Sequence, residues 1–117
     1  MPANLRTTAE FGETFAVHAA LRHALKSGIY KNDPEVQDAA QKLVKTLESE
    51  RSLYGRQLRM IQAMESGITI EQMGRLLHCS RRTLFRYLNY LEAAGVEITL
   101  ENSEYTVARN LLKLVKS

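Results

Sequence analysis

The decisive stretch covers residues 80–95 and reads Ser-Arg-Arg-Thr-Leu-Phe-Arg-Tyr-Leu-Asn-Tyr-Leu-Glu-Ala-Ala-Gly. Leu84, Leu88 and Leu91 recur at i, i+4 and i+7, which is the spacing of one buried stripe on a helix. Ser80 suits the N-cap position, because its hydroxyl can accept a backbone N–H of the first turn. Gly95 suits the position after the helix, because a residue without Cβ adopts the left-handed conformation freely. The stretch therefore predicts a helix over residues 81–94.

The face of this helix opposite the leucines is basic. It carries Arg81, Arg82, Phe85, Arg86 and Asn89, and no acidic residue follows Ser80 until Glu92. Three arginines and an asparagine on one face suit a polyanionic partner.

Two shorter helices precede the basic helix. Thr69 and Gln72 have the spacing of a capping box, which predicts a helix over residues 70–77, and residues 78–80 then form a tight turn. Residues 52–66 are expected to be helical as well, with Gly55 marking a break from the preceding helix and Gly67 ending the segment. The side chains expected to face inward are those of Leu53, Leu58, Ile61 and Met64.

After Gly95 the apolar period changes from helical to alternating. Val96, Ile98 and Leu100 alternate with polar residues, which predicts a half-buried strand. Residues 101–103 then form a turn, residues 104–107 a returning strand, and residues 108–116 a last helix. The order helix, short helix, turn, helix and hairpin predicts a winged helix-turn-helix in a mainly α fold.

The N-terminal part predicts a helical hairpin. Thr7 and Glu10 have capping-box spacing before a helix over residues 8–27, and Gly28 ends it. Asp33 and Pro34 then begin a second helix, which runs to about residues 48–51. The apolar residues of that helix form one stripe: Val36, Ala39, Ala40, Leu43, Val44 and Leu47. We expect residues 1–51 to form this hairpin and residues 52–117 to form the winged helix-turn-helix.

Charge divides along the same line. Residues 1–50 hold six Lys and Arg against seven acidic residues, whereas residues 51–117 hold ten against six. This asymmetry indicates a nucleic-acid surface on the second half and another task for the first. The apolar face of the first helix is wide, so either a second copy of the chain or the rest of the same chain must cover it. We favour a homodimer, because symmetric dimers are the commonest oligomers.

The residues of a helix-turn-helix that reach base edges lie near the start of its second helix. Arginine fits guanine and asparagine fits adenine, so Arg82, Arg86 and Asn89 have the chemistry of sequence readout. Ser80, Thr83 and the first backbone amides can hold a phosphate. The predicted DNA-binding set is therefore Ser80, Arg81, Arg82, Thr83, Phe85, Arg86 and Asn89. The wing turn carries two acids, Glu101 and Glu104, so nearby Arg109, Lys113 and Lys116 would have to supply any positive charge.

The run over residues 79–98 resembles the winged helix-turn-helix of the WYL-domain and DeoR-type bacterial regulators. The resemblance covers about residues 53–108 and is carried by Ser-x-Arg-Thr-Leu, Arg86, Leu88, Leu91 and the Gly-Val-x-Ile exit at 95–98. It implies a DNA-binding role. Tyr87 departs from the pattern, because those families often place an aspartate there. The resemblance would imply an effector domain after the winged helix-turn-helix, and none is expected within these 117 residues. Residues 1–51 carry no recognised family resemblance.

Other functions are disfavoured by the residue patterns. His18 and His23 are five apart and His78 is distant, so a packing or surface role is expected for each histidine rather than metal binding or catalysis. No phosphate-binding loop or paired-carboxylate motif is present, and neither an enzyme nor a cofactor is expected. Because Cys79 is the only cysteine, an intrachain disulfide is impossible. We expect its thiol to pack in the turn rather than to act as a redox switch.

The N-terminus lacks the apolar core of a signal peptide, and no apolar run approaches the roughly 18–20 residues of a membrane span. These features predict a cytoplasmic protein. The leading hypothesis is a dimeric transcriptional regulator that binds double-stranded DNA, with a partner protein on the hairpin as a further possibility. The alternative is a protein-interaction adaptor built on a winged-helix scaffold, which the acidic wing and the expected exposure of Phe85 and Tyr90 favour.

Overall fold

The computed structural model describes residues 3–108 and 111–115, with side chains for residues 11–108, 111–113 and 115. Within these residues, five helices and three strands follow one another, and a 3-10 turn comes last. The elements are α1 (Ala3–Ser27), α2 (Pro34–Leu47), α3 (Leu53–Met64), β1 (Ile68–Thr69), α4 (Ile70–Leu77), α5 (Arg81–Ala93), β2 (Ile98–Glu101), β3 (Glu104–Val107) and the 3-10 turn Lys113–Val115.

The predicted boundaries of α2, α4 and α5 are confirmed to within a few residues, and local chemistry explains them. The Asp33 side chain accepts the Val36 N–H at the start of α2, and Pro34 occupies the first turn. Thr69 and Gln72 form the reciprocal capping box of α4. Ser80 accepts the Thr83 N–H at the start of α5, so each helix begins at a side chain that satisfies an otherwise unpaired backbone donor.

Three expectations about α1 and α3 are wrong. The first helix begins at Ala3 rather than residue 8, so Thr7 and Glu10 lie inside α1 and cannot cap its start. Leu53 does not face inward, because 37% of its surface is exposed. Gly55 is not a helix break, since it lies within the first turn of α3, where the backbone of Ser49 leaves no room for a Cβ.

The C-terminal helix expected over residues 108–116 is also wrong for the described part. Only the short 3-10 turn Lys113–Val115 forms there, and Leu112 and Val115 are buried against the core. This turn contacts α1. Residues 109, 110 and 116 of that expectation lie outside the described residues.

The sheet is three-stranded and antiparallel, in the order β1-β3-β2. The predicted hairpin of β2 and β3 is confirmed, with Ile98 opposite Val107 and Glu101 opposite Glu104. Asn102 and Ser103 both adopt positive φ, which is the geometry of a two-residue turn matched to the strand twist. Strand β1 has only two residues, which is too short for an alternating pattern to reveal.

One apolar core holds α1 and the winged helix-turn-helix together. Its fully buried side chains come from α3, α4 and α5 and include Met60, Ile61, Met64, Met73, Leu84 and Leu91. Phe11 of α1 belongs to the same cluster, and its ring centroid lies 5.5 Å from that of Tyr54. The first helix therefore packs directly on the domain that follows it.

A buried polar cluster joins α1 to the segment between α2 and α3. His18 is buried, with its Nδ1 2.8 Å from the Tyr54 hydroxyl and its Nε2 2.6 Å from Glu48 Oε2. Arg22 Nε donates to the same Glu48 oxygen over 3.0 Å. Burial, and then the Glu48 carboxylate, raise the pKa of the Tyr54 phenol well above its usual range. A phenol that keeps its proton can donate to His18 Nδ1, and His18 Nε2–H then donates to Glu48.

Candidate nucleic-acid interface

The turn between α4 and α5 sets the direction of α5 relative to α4. His78 ends α4 in the left-handed conformation with φ of 54°. The Cys79 N–H donates to the Gly74 carbonyl over 3.1 Å. An added Cβ on Gly74 would lie 3.3 Å from the Cys79 carbonyl oxygen. The absence of a side chain at residue 74 therefore lets the turn fold back closely on α4.

Arg56 of α3 stabilises this turn through hydrogen bonds. Its Nη2 donates to the Leu77 carbonyl over 3.2 Å and to Cys79 Sγ over 3.0 Å. Its guanidinium carbon also lies 5.9 Å from the ring centroid of Tyr87 on α5. One side chain thus contacts α4, the turn and α5. Cys79 is partly buried and packs against the core, which confirms the expectation of a packed thiol.

The two faces of α5 differ as the sequence predicts. Leu84, Leu88 and Leu91 are buried, and Tyr87 is buried beside them. On the opposite side the backbone presents a continuous row of exposed side chains, which are those of Arg81, Arg82, Phe85, Arg86 and Asn89. The structure therefore brings these five members of the predicted DNA-binding set onto one surface, which we call the basic face.

The arginines of the basic face are not equivalent. Arg81 Nη1 lies 3.6 Å from Glu71 of α4, and its guanidinium carbon lies 5.6 Å from the ring centroid of Phe85. Arg82 and Arg86 form no ion pair with any residue that the structure describes. Both guanidinium groups are consequently available to an external acceptor, whereas Arg81 is partly neutralised by an acid of the neighbouring helix.

The two hydroxyl groups at the start of α5 are occupied within the chain. Ser80 Oγ accepts the Thr83 N–H over 3.2 Å and donates to Thr83 Oγ1 over 3.0 Å. Ser80 is exposed and Thr83 is half-buried. These bonds cap the start of α5, and Ser80 Oγ keeps one lone pair that no described residue uses.

The turn end of the β2–β3 hairpin is negatively charged. Glu101 and Glu104 are exposed and stand directly opposite each other across the hairpin. Like charges in that arrangement oppose one another. Of the three nearby basic residues named from the sequence, Lys113 is exposed, whereas Arg109 and Lys116 lie outside the described residues.

Two expectations about aromatic residues are resolved differently. Phe85 is 38% exposed, as expected. The expectation that Tyr90 is exposed is wrong, because its side chain is half-buried and packs against the core cluster. Tyr87 occupies a core position and carries the Arg56 guanidinium on its ring. Residue 87 is therefore a packing position in this chain, whatever stands there in the families that the sequence resembles.

Sequence reasoning missed Arg56. A single arginine in an amphipathic helix gives no signal of its own, because lysine and arginine are ordinary residues on helix surfaces. Its partners lie 21 and 23 residues further along the chain. Only the folded arrangement shows that it spans three elements.

The described residues show no further site of a familiar chemical kind. No three His, Cys, Asp or Glu side chains among them lie together in a way that could hold a metal ion. Across the same part of the chain, every helix is too short or too polar to cross a lipid bilayer.

The element order and the sheet define a winged helix-turn-helix, in which α3, α4 and α5 form the helical core and β2 and β3 the wing. Residues 56–105 match a protein-family model described as an HTH domain. The matched range begins inside α3 and ends inside β3, and it supports a DNA-binding helix-turn-helix domain. The match does not distinguish WYL-domain from DeoR-type regulators. No curated protein and no solved structure matches the chain.

Proposed function

We propose that this chain is a sequence-specific duplex-DNA-binding protein that regulates transcription as a dimer in the cytoplasm. The observation that supports it best is the basic face of α5, where Arg82 and Arg86 are exposed and unpaired among the described residues. The second helix of a helix-turn-helix enters the major groove, and its exposed face meets the base edges. Arginine and asparagine offer the bidentate donors and acceptors that distinguish guanine and adenine there.

Roles within the basic face follow from the local contacts. Arg82 and Arg86 are one turn apart, so both can address one groove, and Asn89 extends the same side by roughly another turn. Arg81 is held near Glu71 and Phe85, which suits a phosphate contact at the groove edge better than base readout. Ser80 and the first amides of α5 would contact the same backbone strand.

The dimer belongs to the proposal because one recognition helix reads only a few base pairs. Helix-turn-helix dimers bind two half-sites about one helical turn apart, which roughly doubles the contact energy. The α1–α2 hairpin lies outside the matched range of residues 56–105. It is therefore the element that we assign to dimerisation.

Direct measurement of the two unpaired arginines tests the proposal. Duplex DNA selected from a random library by the unmodified protein is the probe, and its binding is followed by fluorescence anisotropy. We expect Arg82→Ala and Arg86→Ala each to weaken binding by about 1–3 kcal/mol. Lys31→Ala removes an equal charge from the exposed α1–α2 loop and should bind like the parent. If both arginine variants also bind like the parent, α5 is not the recognition helix.

The second candidate function is a protein-interaction adaptor, and the acidic wing tip favours it. Glu101 and Glu104 would repel phosphates, and the exposed ring of Phe85 could contact an apolar side chain of a partner protein. A salt titration separates the two functions. DNA binding that rests on phosphate contacts weakens steeply and linearly on a log–log plot as salt is added. Absence of selected DNA, or salt-independent binding, would favour the adaptor.

A further inference from the structure

Helix α2 leaves half of its apolar stripe uncovered. Ala40 and Val44 are buried, whereas Val36 and Leu43 are 41% and 45% exposed, with exposed Ala39 between them. Val36, Ala39 and Leu43 stand at i, i+3 and i+7, so they share one side of the helix. The stripe thus has one covered edge and one open edge, and we call the open edge the α2 face.

The charges beside the α2 face are divided along the helix. Glu35 flanks the N-terminal half of this face and Lys42 flanks its C-terminal half, whereas Asp38 and Lys45 lie further around the helix, towards the opposite side. Asp38 and Lys42 form an exposed ion pair of 3.0 Å on the same helix, while Glu35 and Lys45 have no side-chain partner among the described residues. A second α2 that runs antiparallel would place its basic half beside this acidic half and its acidic half beside this basic half.

We infer that the α2 face is the interface between two copies of this chain, which cross antiparallel near Ala39. In this arrangement Val36 of one copy lies towards Leu43 of the other, and Glu35 lies towards Lys42. A two-fold axis through the crossing repeats each contact, as an isologous interface requires. The small side chain of Ala39 lets the two helices approach closely, to the 8–10 Å that packed helices adopt.

Charge complementarity selects this occupant over an unrelated protein. A parallel copy would place acid beside acid and base beside base. A partner protein with only an apolar surface would neutralise neither charged half. Only an antiparallel copy neutralises both halves with residues that the chain itself supplies. Antiparallel helix dipoles favour the same orientation. The inference rests on the proposed function, because it specifies the surface of the dimer assigned there.

Removal of the apolar contact is the first test. Sedimentation velocity over a range of concentrations measures the dissociation constant of the dimer. We expect Leu43→Lys to raise that constant by more than about tenfold, because in both copies the substitution replaces a leucine of the proposed interface with a charged side chain. Leu100→Lys changes another exposed leucine, at 56% exposure on the wing, and should leave the dissociation constant unchanged. A parent that is monomeric at all concentrations, or a Leu43→Lys variant that dimerises like the parent, overturns the inference.

Charge exchange is the sharper test, because it controls for folding. Glu35→Lys alone and Lys42→Glu alone each place like charges across the interface, and each should dimerise about tenfold more weakly than the parent. An equimolar mixture of the two variants restores opposite charges at both symmetric contacts. Native mass spectrometry should therefore show predominantly heterodimers, with an affinity near that of the parent. If the mixture associates no more tightly than either variant alone, Glu35 and Lys42 do not meet across the dimer.

These experiments distinguish failure of the proposed dimer interface from failure of the proposed DNA binding. A chain that dimerises through the α2 face but selects no DNA supports this inference and contradicts the DNA-binding proposal. A chain that selects DNA but sediments as a monomer contradicts this inference and leaves the recognition helix in place. The Leu43→Lys variant adds a direct link, since it should bind a single half-site like the parent and lose affinity only for DNA with two half-sites.

Discussion

Gly55 illustrates how a residue can be required for a reason that its neighbours in sequence do not reveal. The sequence predicts a helix break there, because glycine destabilises a helix interior. In the fold, Gly55 lies in the first turn of α3, and its N–H donates to the Ser52 side chain over 2.8 Å. An added Cβ would overlap the carbonyl oxygen of Ser49 and lie 2.7 Å from its carbon. The glycine is therefore a point of close approach between the α2–α3 connection and α3.

Substitution of Gly55 tests this interpretation. Gly55→Ala should lower the free energy of unfolding in urea by about 1–3 kcal/mol, because the Ser49 backbone must move to admit the methyl group. Gly12→Ala is the matched control: Gly12 is an exposed position in α1 with no atom within 4 Å of an added Cβ. The control should gain about 0.5–1 kcal/mol from helix propensity. A similar gain at Gly55 would contradict the close approach.

Among the elements, the recognition helix depends on contacts outside itself. The leucine stripe and the Ser80 cap establish α5 as a helix, but its direction is set by the turn at His78 and Cys79 and by Arg56 beneath it. Hydrogen bonds from a charged group contribute more than neutral ones, because the guanidinium is a stronger donor. We therefore expect Arg56 to be the side chain that couples α3 to the orientation of α5.

Replacement of Arg56 gives the element-scale prediction. Arg56→Ala should lower the free energy of unfolding by about 1–3 kcal/mol, since the Leu77 carbonyl loses a charged donor and Tyr87 loses a cation above its ring. Arg51→Ala, an exposed arginine in the preceding connection, should change stability by no more than about 0.5 kcal/mol. Equal effects of the two substitutions in urea unfolding would show that Arg56 has no special role in the turn.

In the whole molecule, α1 and the winged helix-turn-helix share one core. Phe11 packs on Tyr54, and α1 contacts both α5 and the 3-10 turn Lys113–Val115. The cluster of His18, Glu48 and Arg22 adds a polar link further along α1. The domain boundary expected at residue 51 stays a prediction. Because α1 shares a core with the winged helix-turn-helix, the boundary is best tested by measuring whether the two parts unfold together or separately.

Cooperativity follows from the shared core. Phe11→Ala should lower the free energy of unfolding by about 3–5 kcal/mol, because it empties a buried aromatic site. Helix content by far-UV circular dichroism and tyrosine emission should show one coincident transition, since the chain has five tyrosines and no tryptophan. Val17→Ala, at an exposed position of α1, should be nearly neutral. Two separate transitions, with only one of them shifted by Phe11→Ala, would mean that the parts unfold independently.

Much of the fold follows from local patterns. The caps at Asp33, Thr69 and Ser80 mark helix starts because a short side chain satisfies a donor two or three residues away. Local patterns do not predict three other features, because each depends on a partner distant in sequence. These are strand β1, the exposed position of Leu53 and the short 3-10 turn Lys113–Val115. Ile68 is extended because Tyr105 pairs with it, and Leu53 is exposed because Tyr54 takes the inward position.

For the candidate site the same distinction holds. The sequence by itself determined that one helix buries leucines and exposes a row of arginines, because helical periodicity is a local property of the chain. Only the tertiary structure decided that Arg81 is held by Glu71 while Arg82 and Arg86 remain unpaired among the described residues. It also decided that Tyr87 and Tyr90 turn towards the core and that half of the α2 stripe stays open. The reason is that pairing and burial depend on which surfaces meet, and the packing of helices brings together residues whose spacing in sequence carries no trace of the contact.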